Sequence, residues 1–547
     1  MTRRRKTKEK REKSSGASFD EDQPLTSADE DQPPISGIEL SRAFRKTIKR
    51  SGLYEHCEMF QNFADIYGGI RASGSPGYVA SMDYVLAKLT DAGYNVYTTD
   101  VIADYFDEVL PPKLEGPIEY TSPSNDPMTY YTYPGSASGT VEALVYAVDV
   151  AYDPESLADT STSGCETEDF VGFPAGSIAL ISRGTCSYTT KLENAVAAGA
   201  SGVILTNEGT VETMEATGNR FRQNFPVPII FGSSMLGMSI LDAIETTGDI
   251  TLKITTDVIA EQRINKNILA ETDYGDKTKT IMTGAHLDSV FEGPGIQDNT
   301  SGCSSVLELA LQFKKHGWDS PDVLKNKIRF AWWASEEYVL FFRDDLCYNL
   351  LVSLPSFVMF SHSMCILFPC LLRRWCRIGL LGSTQYVEGL SDEEIANIAM
   401  YLNMDMIGSP NFVRFLLDGD GSASTLEPIP QPGSPMAHIE ATYMQYFDEV
   451  GLPVEQEPFS NSYQYTDHTP FYDVGIPVSD LHTGVDIEKT EAQAKIFGGE
   501  AGEPWDPCYH QACDTLENVN FVVMEQMARA AAHNLAIYGT TEGDLFA

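Results

Sequence analysis

Thr280-Ile281-Met282-Thr283-Gly284-Ala285-His286-Leu287-Asp288 is an apolar run that ends in an imidazole and a carboxylate. A short continuous run of this kind reads as a strand of a parallel sheet whose two faces are both covered by helices. Two more runs repeat the pattern. Ile328 to Ala334 leads into Ser335-Glu336-Glu337, and Ile395 to Leu402 leads into Asn403-Met404-Asp405. In open α/β sheets the side chains at strand ends converge on one crevice, where such folds hold their ligands. Strands and helical patterns alternate from about Ile259 to the C-terminus, closing on a helix from Asn520 to Tyr538. The expected fold class is therefore α/β, a mostly parallel (mixed) sheet flanked by helices.

Two further segments, Gln297-Asp298-Asn299 and Cys508-Tyr509-His510, complete a set rich in imidazole and carboxylate. These are the groups that Zn²⁺ accepts, and carboxylates dominate where two ions share a bridging group. Asp298, Glu337 and Asp405 would offset three of the four positive charges of two Zn²⁺, and a bridging hydroxide would offset the fourth. Glu336 is then a spare carboxylate beside a ligand, free to take a proton from that water. No segment decides alone, because His-x-Asp is common and a Glu pair is most often a solvated helix face. The conjunction discriminates.

On these segments the chain resembles the secreted, co-catalytic two-zinc aminopeptidases with an inserted protease-associated domain, as in fungal vacuolar and streptomycete enzymes. The resemblance runs from about Ile38 to the C-terminus and is most specific over Thr283 to Val290, Asp298 to Gly302 and Gly498 to Val519. It implies two Zn²⁺ per subunit, one on His286 and Asp405, the other on Glu337 and His510, with Asp298 bridging. It also implies Glu336 as general base, Tyr509 as oxyanion donor, Asp288 as the carboxylate that orients His286, and a cis peptide between Asp298 and Asn299. The substrate class it implies is peptide or protein N-termini, whose free amine would lie against Glu336 and Asp405.

The 547 residues suffice for two folded domains. With Lys+Arg 38 against Asp+Glu 78 the formal charge is −40, which argues against nucleic acid or an anionic membrane surface as partner. Oligomeric state is not legible. Of ten cysteines, Cys347, Cys365, Cys370 and Cys376 fall in one anomalous segment. By resemblance Cys508 and Cys513 form a disulfide around the last ligand; Cys165 and Cys186 bracket a second candidate pair. Cys57 and Cys303 are left, Cys303 as a small buried residue or as a partner of Cys57. Met1 to Lys13 is basic and Ser14 to Ser36 polar and acidic, with no apolar stretch of signal-peptide type. A disordered tail over 1–37 is expected, and a secreted or vacuolar location follows from the resemblance and the cysteines.

The catalytic domain is expected to be discontinuous, over 38–134 and 257–547. Phe60, Phe63 and Ile66 are spaced for one helical face, a second helix opens near Ser81, and the Pro/Ser-rich passage Pro111 to Pro134 marks a boundary. Residues 135–256 read as a β-rich α+β unit: strand Ser177 to Ile181, helix Lys191 to Ala200, strand Gly202 to Leu205. By resemblance this is the protease-associated domain, which shapes access to the site.

Residues 339–378 do not fit. Deleting them joins Glu336-Glu337-Tyr338 to Gly379-Leu380-Leu381-Gly382-Ser383, the order in the family. Leu346 to Leu372 lacks Asp, Glu, Lys and Arg and has the length of a membrane span, but a span rooted at a zinc ligand would drag the site into the bilayer, and Pro355 and Pro369 interrupt it. The segment reads as a retained intron, which would cost the Glu pair the first turn of a supporting helix and weaken activity. His468 reads as a loop residue beside the substrate. His482 stands where the family commonly has an apolar aromatic, and Tyr465 where it often has arginine. Asn299-Thr300-Ser301 matches a glycosylation sequon inside the metal loop and reads as a false positive. The rival functions are a carboxypeptidase or dipeptidase of the same fold, disfavoured by the scarcity of Arg near these motifs, and a non-catalytic receptor-like ectodomain, disfavoured by the intact ligands.

Overall fold

The computed structural model describes residues 35–117, 130–150, 152, 161–207, 224–338, 379–425, 429–459 and 466–546. Thirteen strands form its framework: β1 (Asn95–Glu115), β2 (Tyr130–Thr132), β3 (Gly139–Ala147), β4 (Ile178–Ser182), β5 (Gly202–Thr206), β6 (Ile229–Gly232), β7 (Thr251–Glu271), β8 (Asp276–His286), β9 (Asn326–Trp333), β10 (Ile398–Met404), β11 (Phe415–Leu417), β12 (Glu455–Glu457) and β13 (Val478–His482). They hydrogen-bond in the order β12-β11-β13-β10-β8-β9-β7-β3-β4-β5-β6-β2, with β1 paired to β7. The run β13-β10-β8-β9 is parallel, while β7 lies antiparallel to β9 and β11 antiparallel to β13. The sheet is mixed with a parallel centre.

The three apolar runs are the three central strands. Thr280, Ile281 and Met282 pair with the Ile398–Tyr401 stretch on one side, and β8 pairs with β9 up to His286 opposite Trp333. Their C-terminal ends deliver His286, Ser335 to Glu337 and Asp405 to one edge. One boundary differs from expectation: β10 starts at Ile398, and Ile395 belongs to a short helix, Asp392–Ala396. Ser391 and Glu394 cap that turn reciprocally, and Asp392, Glu393 and Glu394 sit where the helix dipole favours anions, so capping overrides the apolar run.

Trp333, Tyr401 and Phe471 pack in the core over the central strands, with Tyr401 stacked on Phe471 at 4.1 Å. The helix Arg50–Ile66 carries Phe60 into the core, whereas Ile66 at its last turn is 70% exposed, so the anticipated face ends one turn early. The helices Pro76–Asp91, Ser301–Lys315 and Phe521–Thr540 cover the sheet, the last capped by the Asn520 side chain. The helix Gly37–Thr47 starts at the edge of the expected tail, capped by Ser36 and Glu39.

Around β4 and β5 a second set of strands carries the helices Tyr188–Ala197 and Ser234–Thr247 and has its own apolar clusters on both faces. The first helix begins three residues before Lys191 because the Ser187 hydroxyl caps it. The long strands β1 and β7 form an antiparallel ribbon from Asn95↔Glu271 to Glu115↔Lys253. Pro111 and Pro112, read as the start of a boundary, lie inside β1 where its register slips between Leu110 and Lys113, an irregularity that tolerates residues lacking an N–H.

Residues 339–378, the tail residues 1–34 and Tyr465 lie outside the described residues. The chain leaves at Tyr338 and resumes at Gly379, and there the Leu380 N–H donates to the Glu336 carbonyl at 3.0 Å and the Leu381 N–H to the Ser335 carbonyl at 3.0 Å. Glu336 and Glu337 stand in a bend, and the next helix among the described residues is Leu381–Glu388. The expected loss of a helix turn beneath the Glu pair falls on 339–378 and so lies outside the described residues.

Candidate metal centre

Asp298 lies between two histidines. Its Oδ1 is 3.2 Å from His286 Nε2 and its Oδ2 is 3.3 Å from His510 Nε2. His286 Nε2 is also 3.2 Å from Asp405 Oδ1, and His510 Nε2 is 3.1 Å from Glu337 Oε2. Two imidazole–carboxylate sets thus share one aspartate. His286, Asp298 and Glu337 are buried, and each presents a ligand atom within 4.8 Å of the others.

This donor set fits two Zn²⁺. Bonds of about 2.0–2.1 Å in a tetrahedron give ligand–ligand edges of about 3.3 Å, the spacing found within each set. Glu337 Oε1 is buried with no hydrogen-bond partner, and among the described residues the ion-pair partners of Asp298, Glu337 and Asp405 are histidines only. Packed anions and imidazoles polarise one another accordingly. Burial pushes the Glu337 carboxyl up to about 7, with Asp298 adding to the rise. Burial alone would lower the His510 imidazole, but Glu337 and Asp298 hold it up at about 11. Glu336 is half-buried, and burial raises its carboxyl well above the usual range; His286 opposes the rise, and Glu337, Asp467 and Asp405 reinforce it.

The backbone around these groups is tightly tied. The Asp288 carboxylate accepts the N–H of Glu336 at 3.1 Å and of Glu337 at 3.2 Å. It stands 3.9 Å from His286 Nδ1, beyond hydrogen-bond length, and the ring is met by the Asp288 carbonyl at 3.2 Å. Asp514 does for the other loop what Asp288 does for the Glu pair, accepting the N–H of Gln297 at 2.8 Å and of Asp298 at 3.0 Å. The peptide Asp298–Asn299 is cis. Asn299 is buried with its whole amide engaged: Oδ1 accepts from Gly302 and Met406, and Nδ2 donates to the Met404 carbonyl, so the sequon offers no free side chain. At Gly302 a Cβ would lie 2.3 Å from Asn299 Oδ1, so the approach requires glycine. Thr466 Oγ1 donates to Asp405 Oδ2 at 2.6 Å. Arg71, fully buried, donates to the carbonyls of Leu287, Pro294 and Gly295 and so clamps both ends of the loop between His286 and Asp298. Five non-glycine residues have positive φ among the described residues, and four of them, Ser335, Leu380, Met406 and His510, border the site, where strained backbone is commonly held.

Tyr509 stacks on His510 with ring centroids 3.8 Å apart, and the Cys508–Cys513 disulfide closes their loop. Cys165–Cys186 is also formed, while Cys57 and Cys303 are free and buried. His468 is buried at the start of the helix His468–Asp473, on the chain just after Thr466. His482 pairs with Glu457 and stacks on Phe415 at 4.7 Å; burial draws its imidazole down, yet Glu457 and Asp480 lift it to about 8. Arg71, Asp514 and Thr466 are not legible in the sequence as parts of a site. Only Asp514 lies in one of the segments that carry the resemblance, and no spacing ties Arg71 to a loop more than two hundred positions away.

The sequence profile of Peptidase family M28 matches residues 267–535, and that of the PA domain matches residues 143–240. An aminopeptidase of Pseudomonas aeruginosa (strain UCBPP-PA14) is 37% identical over 497 residues, covering 89% of this chain and 80% of that protein. Among solved structures, the aminopeptidase from Aneurinibacillus sp. strain AM-1 superposes with a TM-score of 0.55 at 20% identity, covering 92% of this chain and 97% of its own. A zinc aminopeptidase from Bacillus subtilis gives 0.51 at 18% identity, covering 91% and 97%. At such identities these two structures establish the fold. Profile and sequence relatives together place the chain in peptidase family M28, as a metallo-aminopeptidase with an inserted PA domain.

Proposed function

We propose that the chain removes N-terminal residues from peptides with two Zn²⁺ held by His286, Asp405, Glu337 and His510 and shared through Asp298. The observation that carries this reading is the sharing itself: each oxygen of Asp298 faces a different histidine, and each histidine faces one further carboxylate. Bound there, the two ions would polarise the scissile carbonyl and lower the pKa of water.

The remaining work falls to the protein. Glu336 makes no ligand pair with either histidine and sits beside Glu337 in a fixed bend, so it is the group that takes the proton from the attacking water and returns it to the leaving amine. Tyr509, anchored in the disulfide loop, donates to the oxygen that gains charge. Glu336 and Asp405 give the substrate's ammonium an acidic berth, which selects a chain end over an internal peptide bond. The catalytic unit is assigned to 38–134 and 257–547 and the PA unit to 135–256. The disulfide Cys165–Cys186 supports an oxidising compartment, secreted or vacuolar; among the described residues no helix is long and apolar enough to cross a membrane.

The test is hydrolysis of leucine anilide, its N-acetylated form and a C-terminally probed peptide, with chelator and metal analysis alongside. Chelator-sensitive cleavage of the free-amine substrate alone, at two zinc per chain, is expected. Preference for the C-terminal substrate would replace this reading with a carboxypeptidase, and no cleavage with bound metal would favour a receptor-like role.

A further inference from the structure

Three aromatic rings stand beside the Glu337–His510 end of the centre. Tyr338 directly follows Glu337, Phe291 lies in the loop after Asp288, and Tyr105 comes from β1. The Phe291 ring packs against Tyr338 with centroids 6.4 Å apart at 65° and against Tyr105 with centroids 6.2 Å apart at 53°. All three are only half-buried.

This row is placed, not incidental. The loop carrying Phe291 lies against the His510 loop: a Cβ on Gly293 would sit 2.2 Å from the Gln511 carbonyl oxygen. Its far end is pinned by Arg263, whose guanidinium lies 3.2 Å from the Tyr105 ring centroid while Nη1 donates to the Gly74 carbonyl at 3.3 Å. Partly exposed rings packed against one another present apolar surface whose hydration a ligand's apolar group would displace.

Direction follows from the centre. If the substrate's amine lies at Glu336 and Asp405, beside His286, the residue after the scissile bond leaves toward the opposite end, Glu337 and His510, and that is where the row stands. We infer that Tyr338, Phe291 and Tyr105 form the wall that receives the side chain of the substrate's second residue and favours apolar or aromatic groups there. This inference rests on the aminopeptidase reading.

The experiment compares kcat/KM of the zinc-loaded full chain for Leu-Phe, Leu-Gly and Phe-Gly amides and their N-acetylated forms, in wild type, Phe291→Ala, Phe291→Leu and Tyr105→Ala. Wild type is expected to favour Leu-Phe amide. An aromatic contact of this kind predicts that Phe291→Ala lowers the Leu-Phe to Leu-Gly ratio about 3- to 10-fold, with Tyr105→Ala in the same direction and Phe291→Leu in between. Should Phe291→Ala not fold, Tyr105→Ala and Phe291→Leu decide. An unchanged ratio, or a change confined to discrimination between Leu-Gly and Phe-Gly amides, overturns the wall while leaving the aminopeptidase reading intact. Failure of wild type to cleave either amide, with cleavage of N-acetylated substrates instead, overturns that underlying reading and the wall with it.

Discussion

The Asp288 carboxylate accepts the backbone N–H of Glu336 at 3.1 Å, and its second oxygen takes the next N–H, that of Glu337. One buried side chain from the end of β8 thereby holds the backbone that carries two carboxylates at the end of β9.

Asp288→Asn keeps the shape but replaces an acceptor oxygen with an NH₂ that faces a backbone N–H. Turnover should fall about 10- to 100-fold, the usual cost of losing a group that orients metal ligands. Steady-state kinetics with zinc titration checks this; Asp288→Asn with wild-type kcat and zinc affinity would refute it.

Glu336→Ala removes the proposed proton carrier and leaves all five ligands. A loss of about 10²- to 10⁴-fold in kcat is expected, with zinc content near wild type by metal analysis. Full turnover would dismiss the role of Glu336.

Excision of 339–378 should preserve the site. The Leu380 N–H to Glu336 carbonyl bond already joins the two flanks, so Tyr338 and Gly379 can be linked directly without moving the Glu pair. The shortened chain is expected to bind zinc as the full chain does and to turn over at least as fast; a mature transcript lacking these codons would agree, and an inactive shortened chain would show that the segment is needed.

His533 is fully buried against the Ser41 hydroxyl at 2.7 Å, and burial, aided by Arg45, lowers its imidazole to about 4. The unfolded chain therefore binds its proton at higher pH than the folded one. The stabilising effect is complete above the unfolded value of about 6.5 and is lost as pH falls from there toward 4, roughly 2 kcal/mol by pH 5. Chemical denaturation at pH 7 and pH 5 should show that difference shrinking by about this amount in His533→Gln.

How much is legible depends on which property of a residue matters. His286, Glu337 and Asp405 are candidates because apolar runs ending in possible metal ligands mark strand ends; Asp298 and His510 join them through the conjunction of segments and the family resemblance. The same logic misplaces Ile395, where the Ser391–Glu394 capping box outweighs the run. Arg71, Asp514 and Thr466 carry ordinary side chains in ordinary stretches; they matter only because the fold brings them to a loop end or a carboxylate.

From the sequence alone came the candidate imidazole and carboxylate groups and the α/β class, which follow from side-chain chemistry and local periodicity, while the proposed division of those groups between two metals came from the family resemblance. Tertiary structure decided what aims those groups: Asp288 on the Glu pair, Asp514 on Asp298, Arg71 across the loop between His286 and Asp298, and the ribbon that sets Tyr105 beside Phe291. Hydrogen bonds and ring contacts between residues far apart in the chain depend on three-dimensional proximity, which no local pattern encodes.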